Sequence, residues 1–317
     1  MPKSPVTYFG GKQALAEQIA NAFPKHAHYI EPFCGSLAVL LAKKPSKMET
    51  VNDLDGALMT FWRVLRDRPQ ELERACYLTP HSRAEREAAY SISDKLDELE
   101  VARRVFVALT QGRTGSLTRT GWRHNSAPAS TPMPVTLQRY AGRIAMAAKR
   151  IQNVSLESRP ALELVEAYGH ARNNLIYVDP PYITDKGTRR GGEYKVEMRD
   201  EGDHRKLLEA CMEAEAGVVI SGYGNELYDS VLAGWHRYAI ETFTSQKGRR
   251  SERTEVLWAN RVLAGLDEAS FVSGESVGDE TPVRCPACSA IIRQPRTGRR
   301  KTWCSAACRQ VGWKARG

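Results

Sequence analysis

Apolar residues along this chain fall into two alternating textures. Val6-Thr7-Tyr8-Phe9 leads into Gly10-Gly11-Lys12 and then a helical pattern at Leu15, Ile19, Ala20, Ala22 and Phe23. His28-Tyr29-Ile30 reads as a strand, Glu31–Ser36 as a turn and Leu37–Leu41 as an apolar helix. Val51-Asn52-Asp53 ends a second short strand, and Leu58, Phe61, Trp62 and Leu65 return to helical spacing. An acid-rich helix is expected around Asp94–Glu100. Leu175-Ile176-Tyr177-Val178 is an unbroken apolar run that stops at Asp179-Pro180-Pro181-Tyr182. Prolines lack the N–H that a central strand needs, so the strand ends there. Asp203-His204 opens a helix through Leu207, Leu208, Cys211 and Met212, with Asp203 expected as its N-cap. Ala216–Ile220 is another buried strand, ending at Ser221-Gly222-Tyr223, and Arg237–Thr244 and Glu255–Asn260 alternate like sheet-edge strands. Strands and helices in turn predict an α/β fold on a mostly parallel sheet. Ligands of such sheets bind at the rim beyond the strand ends.

Asp179 stands at that rim, and its neighbours suggest the chemistry. The lone pair of an amino group on adenine, cytosine or an amide is delocalised, so the nitrogen is a poor nucleophile. Acceptors held rigidly against its N–H bonds favour a localised lone pair. Asp179 offers one acceptor and the Pro180 carbonyl another, aimed by a proline-restricted backbone. Tyr182 offers a face for a planar base. Preorganised acceptors of this kind contribute a few kcal/mol each.

Upstream, Gly10-Gly11 lets backbone N–H groups approach an anion before a helix, with Lys12 adding charge. Asp53 lies about 20 residues beyond the Glu31–Ser36 turn, an offset suited to ribose hydroxyls. With Tyr8-Phe9-Gly10-Gly11-Lys12, Glu31-Pro32-Phe33-x-Gly35, Asn52-Asp53 and Asp179-Pro180-Pro181-Tyr182 in this order, the chain resembles the DNA adenine methyltransferases over roughly residues 5–262. These amino-methylating enzymes use S-adenosylmethionine. The order matches the branch whose target-recognition region precedes the catalytic motif. The resemblance implies a Rossmann-like methyltransferase sheet and a cofactor site lined by Tyr8, Gly10, Gly11, Lys12, Phe33, Gly35, Asp53 and Asp179. Phe33 and Gly35 would flank the methionine end. Catalysis would fall to Asp179, Pro180 and Tyr182. Two departures stand out: Ser36 and Leu37 replace the family's second and third glycines, and Pro160 stands near the place of a carboxylate that reads the cofactor adenine.

Charge changes the picture beyond the sheet. The net charge of the 317 residues is +9, yet residues 281–317 carry nine Lys/Arg and no acid, so residues 1–280 are neutral overall. Within that neutral body, residues 101–156 also hold nine Lys/Arg and no acid. Two basic territories on a neutral body suggest polyanion contacts. The stretch Thr110–Asn125 mixes glycines, hydroxyls, Arg113, Arg119, Trp122 and Arg123. Arginines there suit guanine edges or phosphates, and Gln111 or Asn125 suits adenine. The Pro/Ser-rich Ala127–Pro134 suggests a mobile extension, and the loop Ile183–Asp203, with Arg189 and Arg190, is placed to close over an extruded nucleotide. The basic link of Lys247, Arg249, Arg250 and Arg253 offers a further contact for a DNA backbone. Double-stranded DNA is the expected partner.

Seven cysteines divide into buried-type Cys34, Cys76 and Cys211 and a C-terminal set, Cys285-x2-Cys288 and Cys304-x3-Cys308. That spacing predicts a structural Zn2+ held by four thiolates, since so short a segment lacks a sufficient core. Its basic surroundings favour phosphate contact, with protein docking as the alternative. The expected organisation is a catalytic domain at 1–56 and 151–263, a helical recognition insert at 57–150, a linker at 264–282 and the zinc module at 283–317. No apolar run approaches the ~20 residues of a membrane span, and no secretory h-region is visible, so an intracellular protein of bacterial or phage type is expected. N6-adenine methylation is the leading expectation. An N4-cytosine or RNA amino-methyltransferase stays open, as does a non-catalytic DNA-binding protein on the same scaffold.

Overall fold

Strand-sized apolar runs become strands because helices cover both faces of the sheet. The computed structural model describes residues 1–125, 127, 129–183, 198, 200–246 and 249–269. Its sheet comprises β1 (His28–Glu31), β2 (Met48–Asn52), β3 (Ser155–Glu157), β4 (Asn174–Val178), β5 (Gly217–Gly222), β6 (His236–Gln246) and β7 (Arg249–Ala259). Their order is β3-β2-β1-β4-β5-β7-β6, parallel except for β7, which runs against both neighbours. The order reverses between β1 and β4. At that switch point the neighbouring crossovers leave on opposite faces and open a crevice at the strand ends.

Successive side chains divide between the two faces. Tyr29, Val51, Leu175, Tyr177, Val219 and Leu257 join one apolar cluster, whereas Ile30, Ile176, Val178, Val218, Ile220 and Trp258 join the other. The first cluster also takes in α1 (Ala16–Ala22), α2 (Ala38–Ala42), α3 (Gly56–Asp67), α6 (Glu98–Gln111) and α8 (Ile144–Ile151). The second packs against α9 (Ala161–Tyr168), α10 (Glu201–Glu213) and α11 (Glu226–Val231). The remaining helices are α4 (Pro69–Leu78), α5 (Arg83–Ala88) and α7 (Met133–Ala141).

Residues Met1–Phe271 form one compact unit, so the helices of 57–150 share the core of the sheet. The expected linker lies largely, and the C-terminal module wholly, outside the described residues. Several local expectations change. The N-cap of α10 is Asp200, which accepts the Asp203 N–H, so the helix starts earlier than Asp203. Of these two strands β7 is internal and β6 is the edge, because β7 pairs with β5 as well. Arg249, Arg250 and Arg253 belong to β7 rather than to a link; Lys247 lies outside the described residues. The Pro/Ser-rich tail runs into α7, whose first turn accepts Pro134 because an N–H is dispensable there. The acid-rich stretch becomes the cap of α6: Asp97 accepts the Leu99 N–H at 3.0 Å.

Candidate active site

The first wall of the crevice is the turn after β1. Gly35 has φ +43°, and a Cβ there would stand 2.8 Å from the Tyr8 ring. The next departure from a glycine pattern is absorbed rather than avoided. Leu37 takes the left-handed conformation, with φ 53°, at the N-cap of α2. That backbone costs a non-glycine residue roughly 1–2 kcal/mol, and full burial of a leucine side chain contributes about 1.5–3 kcal/mol. Leu37 is fully buried, so burial offsets the strain. Trp62 of α3 donates its indole N–H to the Gly35 carbonyl at 3.0 Å. Asp53 accepts the Gly35 N–H at 3.1 Å and the Asp55 N–H at 3.0 Å, so the residue expected to meet ribose also shapes the turn. Asn52 donates to Pro32 and Arg159 carbonyls, both at 2.9 Å, fixing the loops after β1 and β3 to each other.

These loops bound a cavity of about 390 Å3, in the range of small-molecule sites. Its wall includes Tyr8–Lys12, Glu31–Ser36, Asn52–Asp55 and Pro160–Leu162, and it reaches Asp179 and Pro181. All the expected cofactor residues therefore meet in one cavity. Pro180 and Tyr182 lie beside it rather than in its wall. Burial pushes the Asp53 carboxyl up to about 6 and the Glu31 carboxyl up to about 8, despite a 2.9 Å hydrogen bond from the Tyr29 hydroxyl to Glu31.

The second wall is the corner after β4, and it is built around a lysine. Lys12 Nζ donates to Asp179 Oδ1 at 2.6 Å, to Oδ2 at 2.8 Å, to the Tyr182 hydroxyl at 2.7 Å and to the Gly10 carbonyl at 3.1 Å. Burial acts to lower the pKa of this ammonium, but the Asp179 carboxylate beside it prevails and holds it above the ordinary lysine value. Ser221, at the end of β5, donates to Asp179 Oδ1 at 2.9 Å and meets the Tyr177 hydroxyl at 2.9 Å. Tyr182 stacks on Tyr223 with ring centroids 4.4 Å apart, so one of its faces is already taken. Glu255 of β7, 4% exposed, lies 3.4 Å from Lys12 Nζ. Glu255 escaped sequence reasoning. Its one signal is an acid in phase with buried Leu257 and Ala259.

The acid-free stretch proves less free than its composition suggests. Arg103 and Arg104 bind Glu100, Arg119 binds Glu87, and Arg150 binds Glu49, all partners from outside the stretch. Gln111 is buried and spends its amide on the Ser82 N–H and the Pro80 carbonyl, so it is not available to read a base. Residues 111–123 close as a hairpin, with Gly112 bridged to Trp122. Trp122 stacks on His81 at 4.4 Å, with Arg83 over its ring at 4.2 Å. Arg113 is exposed and Arg123 half-buried, and neither forms an ion pair among the described residues. Asn125 donates to the Thr131 carbonyl at 2.7 Å. Phe9 N–H donates to the Gly115 carbonyl at 2.8 Å, joining this hairpin to the N-terminal wall of the cavity.

Arg189 and Arg190 lie outside the described residues, as do Cys285, Cys288, Cys304 and Cys308. Among the described residues, no cluster of three or more His, Cys, Asp or Glu is arranged to hold a metal ion. None of their helices is long and apolar enough to cross a membrane.

A seven-stranded sheet in this order, with a glycine turn and acidic strand ends around one cavity, defines an α/β protein of the S-adenosylmethionine-dependent methyltransferase class. The family model described as D12 class N6 adenine-specific DNA methyltransferase matches residues 8–246, and the chain belongs to that family. Among solved structures it is similar to precorrin 8W decarboxylase from Methanobacterium thermoautotrophicum, at 10% identity over 83% of this chain and 100% of that one, with a TM-score of 0.36. A SAM-dependent methyltransferase from Agrobacterium tumefaciens matches at 11% identity over 78% and 61%, TM-score 0.36. The N-methyltransferase NodS from Bradyrhizobium japonicum matches at 10% identity over 78% and 94%, TM-score 0.34. The strand order, rather than these distant likenesses, carries the fold.

Proposed function

We propose that this protein transfers the methyl group of S-adenosylmethionine to the N6 amino group of an adenine extruded from duplex DNA. The observation that carries this reading is the meeting of Asp179 with the Gly35–Asp53 cavity at the sheet's switch point. When bound, S-adenosylmethionine supplies an electrophilic methyl group on a sulfonium. The cavity suits it chemically: Asp53 offers an acceptor to hydroxyl donors, and Pro160–Leu162 with Phe33 give an apolar slot for a planar base. Asp53 would hold the ribose, and Phe33 and Gly35 the methionine end.

Asp179 accepts one N–H of the target amine and the Pro180 carbonyl the other, which localises the nitrogen lone pair toward the methyl group. Tyr182, backed by Tyr223, gives the base a rigid aromatic face. Proximity and orientation do most of the remaining work. Arg113 and Arg123 on the 111–123 hairpin, together with Arg119, Trp122, Arg189 and Arg190, are read as DNA contacts. The four C-terminal cysteines are read as a structural Zn2+ site, which metal analysis of the purified chain and of a Cys304→Ser variant would test.

The deciding measurement is transfer of labelled methyl to unmethylated genomic DNA, followed by mapping of the modified base. N6-methyladenine is expected, and none with Asp179→Ala. Label on cytosine or only on RNA would replace the substrate. No transfer while S-adenosylmethionine binds would overturn the enzymatic reading.

A further inference from the structure

Asp179, the acceptor that the reading above assigns to the target amine, is engaged on both oxygens. Lys12 spans Oδ1 and Oδ2, and Ser221 adds a second bond to Oδ1. A base amine entering this corner meets a carboxylate whose charge is already answered by an ammonium. Lys12 is 5% exposed in its side chain, so it cannot simply swing into water. Any Lys12 bond surrendered to the substrate must be replaced within the protein, or a buried charge is left short of partners.

One replacement is at hand. Glu255 Oε1 stands 3.4 Å from Lys12 Nζ, beyond a good hydrogen bond yet within ion-pair range, and both Glu255 oxygens lie 3.5 Å from the Tyr182 hydroxyl. A shift of about half an ångström would turn the long contact into a charge-assisted hydrogen bond of ordinary length. Glu255 comes from β7, where Ile240 opposite it holds its backbone register, so it is a fixed receiver. We infer that Glu255 is a positioning residue for methyl transfer: it draws Lys12 toward itself as the target amine arrives, freeing one oxygen of Asp179 for the substrate. The inference rests on the proposed amino-methyltransferase activity. No covalent step is involved; one hydrogen bond of Lys12 moves from Asp179 to Glu255, and the vacated oxygen accepts the amine N–H.

The arrangement requires Glu255 to be ionised. The titratable groups that face it are Lys12 from the N-terminal wall, Tyr177 on β4, and Asp179 and Tyr182 beyond it. Burial and, to a lesser degree, Asp179 push Glu255 up to about 7, although Lys12 opposes them. Protonated Glu255 cannot hold the ammonium, so transfer should weaken as pH falls through this range.

The test compares wild type, Glu255→Gln and Glu255→Asp for labelled methyl transfer to genomic DNA between pH 5.5 and 9, alongside S-adenosylmethionine affinity and thermal melting. Glu255→Gln should lose about 10- to 100-fold in kcat/KM for DNA, the scale of one buried charged partner. Its cofactor affinity should stay within about twofold of wild type, and its acid limb near neutrality should disappear. Glu255→Asp should restore part of the rate together with the acid limb. Glu255→Gln with wild-type kcat/KM and an unchanged acid limb would overturn the inference. If Glu255→Gln fails to fold, Glu255→Asp and the wild-type profile decide it, and a wild-type profile flat across neutrality would equally overturn it. Absence of transfer by the wild-type protein would instead defeat the functional reading on which this rests.

Discussion

The two walls of the cavity handle buried carboxylates in opposite ways. On the β1–β2 side, Glu31 and Asp53 are satisfied by a tyrosine hydroxyl and by backbone N–H groups, and neither forms an ion pair among the described residues. On the β4–β7 side, Asp179 and Glu255 share one ammonium, Lys12, at 2.6 and 3.4 Å. The first wall holds no internal ion-paired counter-charge among the described residues. The second is already neutralised from within, so a substrate must compete for it. The two sides therefore differ in readiness, although Glu31, Asp53 and Asp179 line one cavity, with Glu255 buried behind it.

The contrast breaks most sharply under Asp179→Ala. Transfer should fall by about 10^3-fold or more, the scale of a lost preorganised partner at a reacting centre, and by far more than cofactor affinity does. Filter binding with labelled S-adenosylmethionine beside a transfer assay separates the two quantities. Removing the shared cation is the next largest effect. Lys12→Met leaves buried Glu255 and half-buried Asp179 facing each other, and breaking such a pair costs about 3–5 kcal/mol. A fall in melting temperature of roughly 10 °C is expected, and an unshifted melt would mean that the second wall does not depend on its ion pair. Asp53→Ala should reverse the first result, weakening cofactor binding about tenfold, since one charge-assisted contact is worth about 1.5–3 kcal/mol and its loss also loosens the Gly35 turn.

The smallest effect sharpens the comparison through pH. Burial holds the Glu31 carboxyl at about 8 against an ordinary 4.5. Between those values the folded chain keeps a proton that the unfolded chain has released. Stability from this group is therefore present at low pH and lost as pH rises through that window. Glu31→Gln should melt like wild type at pH 4 and a few degrees higher at pH 8.5. A gain of equal size at both pH values would show that charge is not the cause.

Much of the sheet was legible because buried parallel strands carry continuous apolar runs. His28-Tyr29-Ile30, Leu175–Val178 and Ala216–Ile220 all lie where the pattern put them, within a residue or so. β3 escaped because Ser155-Leu156-Glu157 is three residues long and half polar, too short for any periodicity. The ion pairs of the acid-free stretch were hidden for a different reason. Composition counts charges along the chain, but Glu85, Glu87 and Glu49 reach Arg103, Arg119 and Arg150 only through the fold. Glu255 was hidden likewise, because its role comes from a lysine 243 positions earlier in the chain. The glycine turn and the acids around the cavity could be read from local order; the internal ion pair could not.

One contact makes the hairpin a poor candidate for exchange between relatives. Gly115 sits at φ +65°, and a Cβ there would press on Thr7 and Tyr8 at 3.0–3.1 Å, while its carbonyl receives the Phe9 N–H. A grafted loop must therefore reproduce this glycine and its carbonyl direction, or it will unseat the segment that carries Lys12. Transplanting this hairpin thus means moving residues 7–12 and 111–123 together, as one inherited piece.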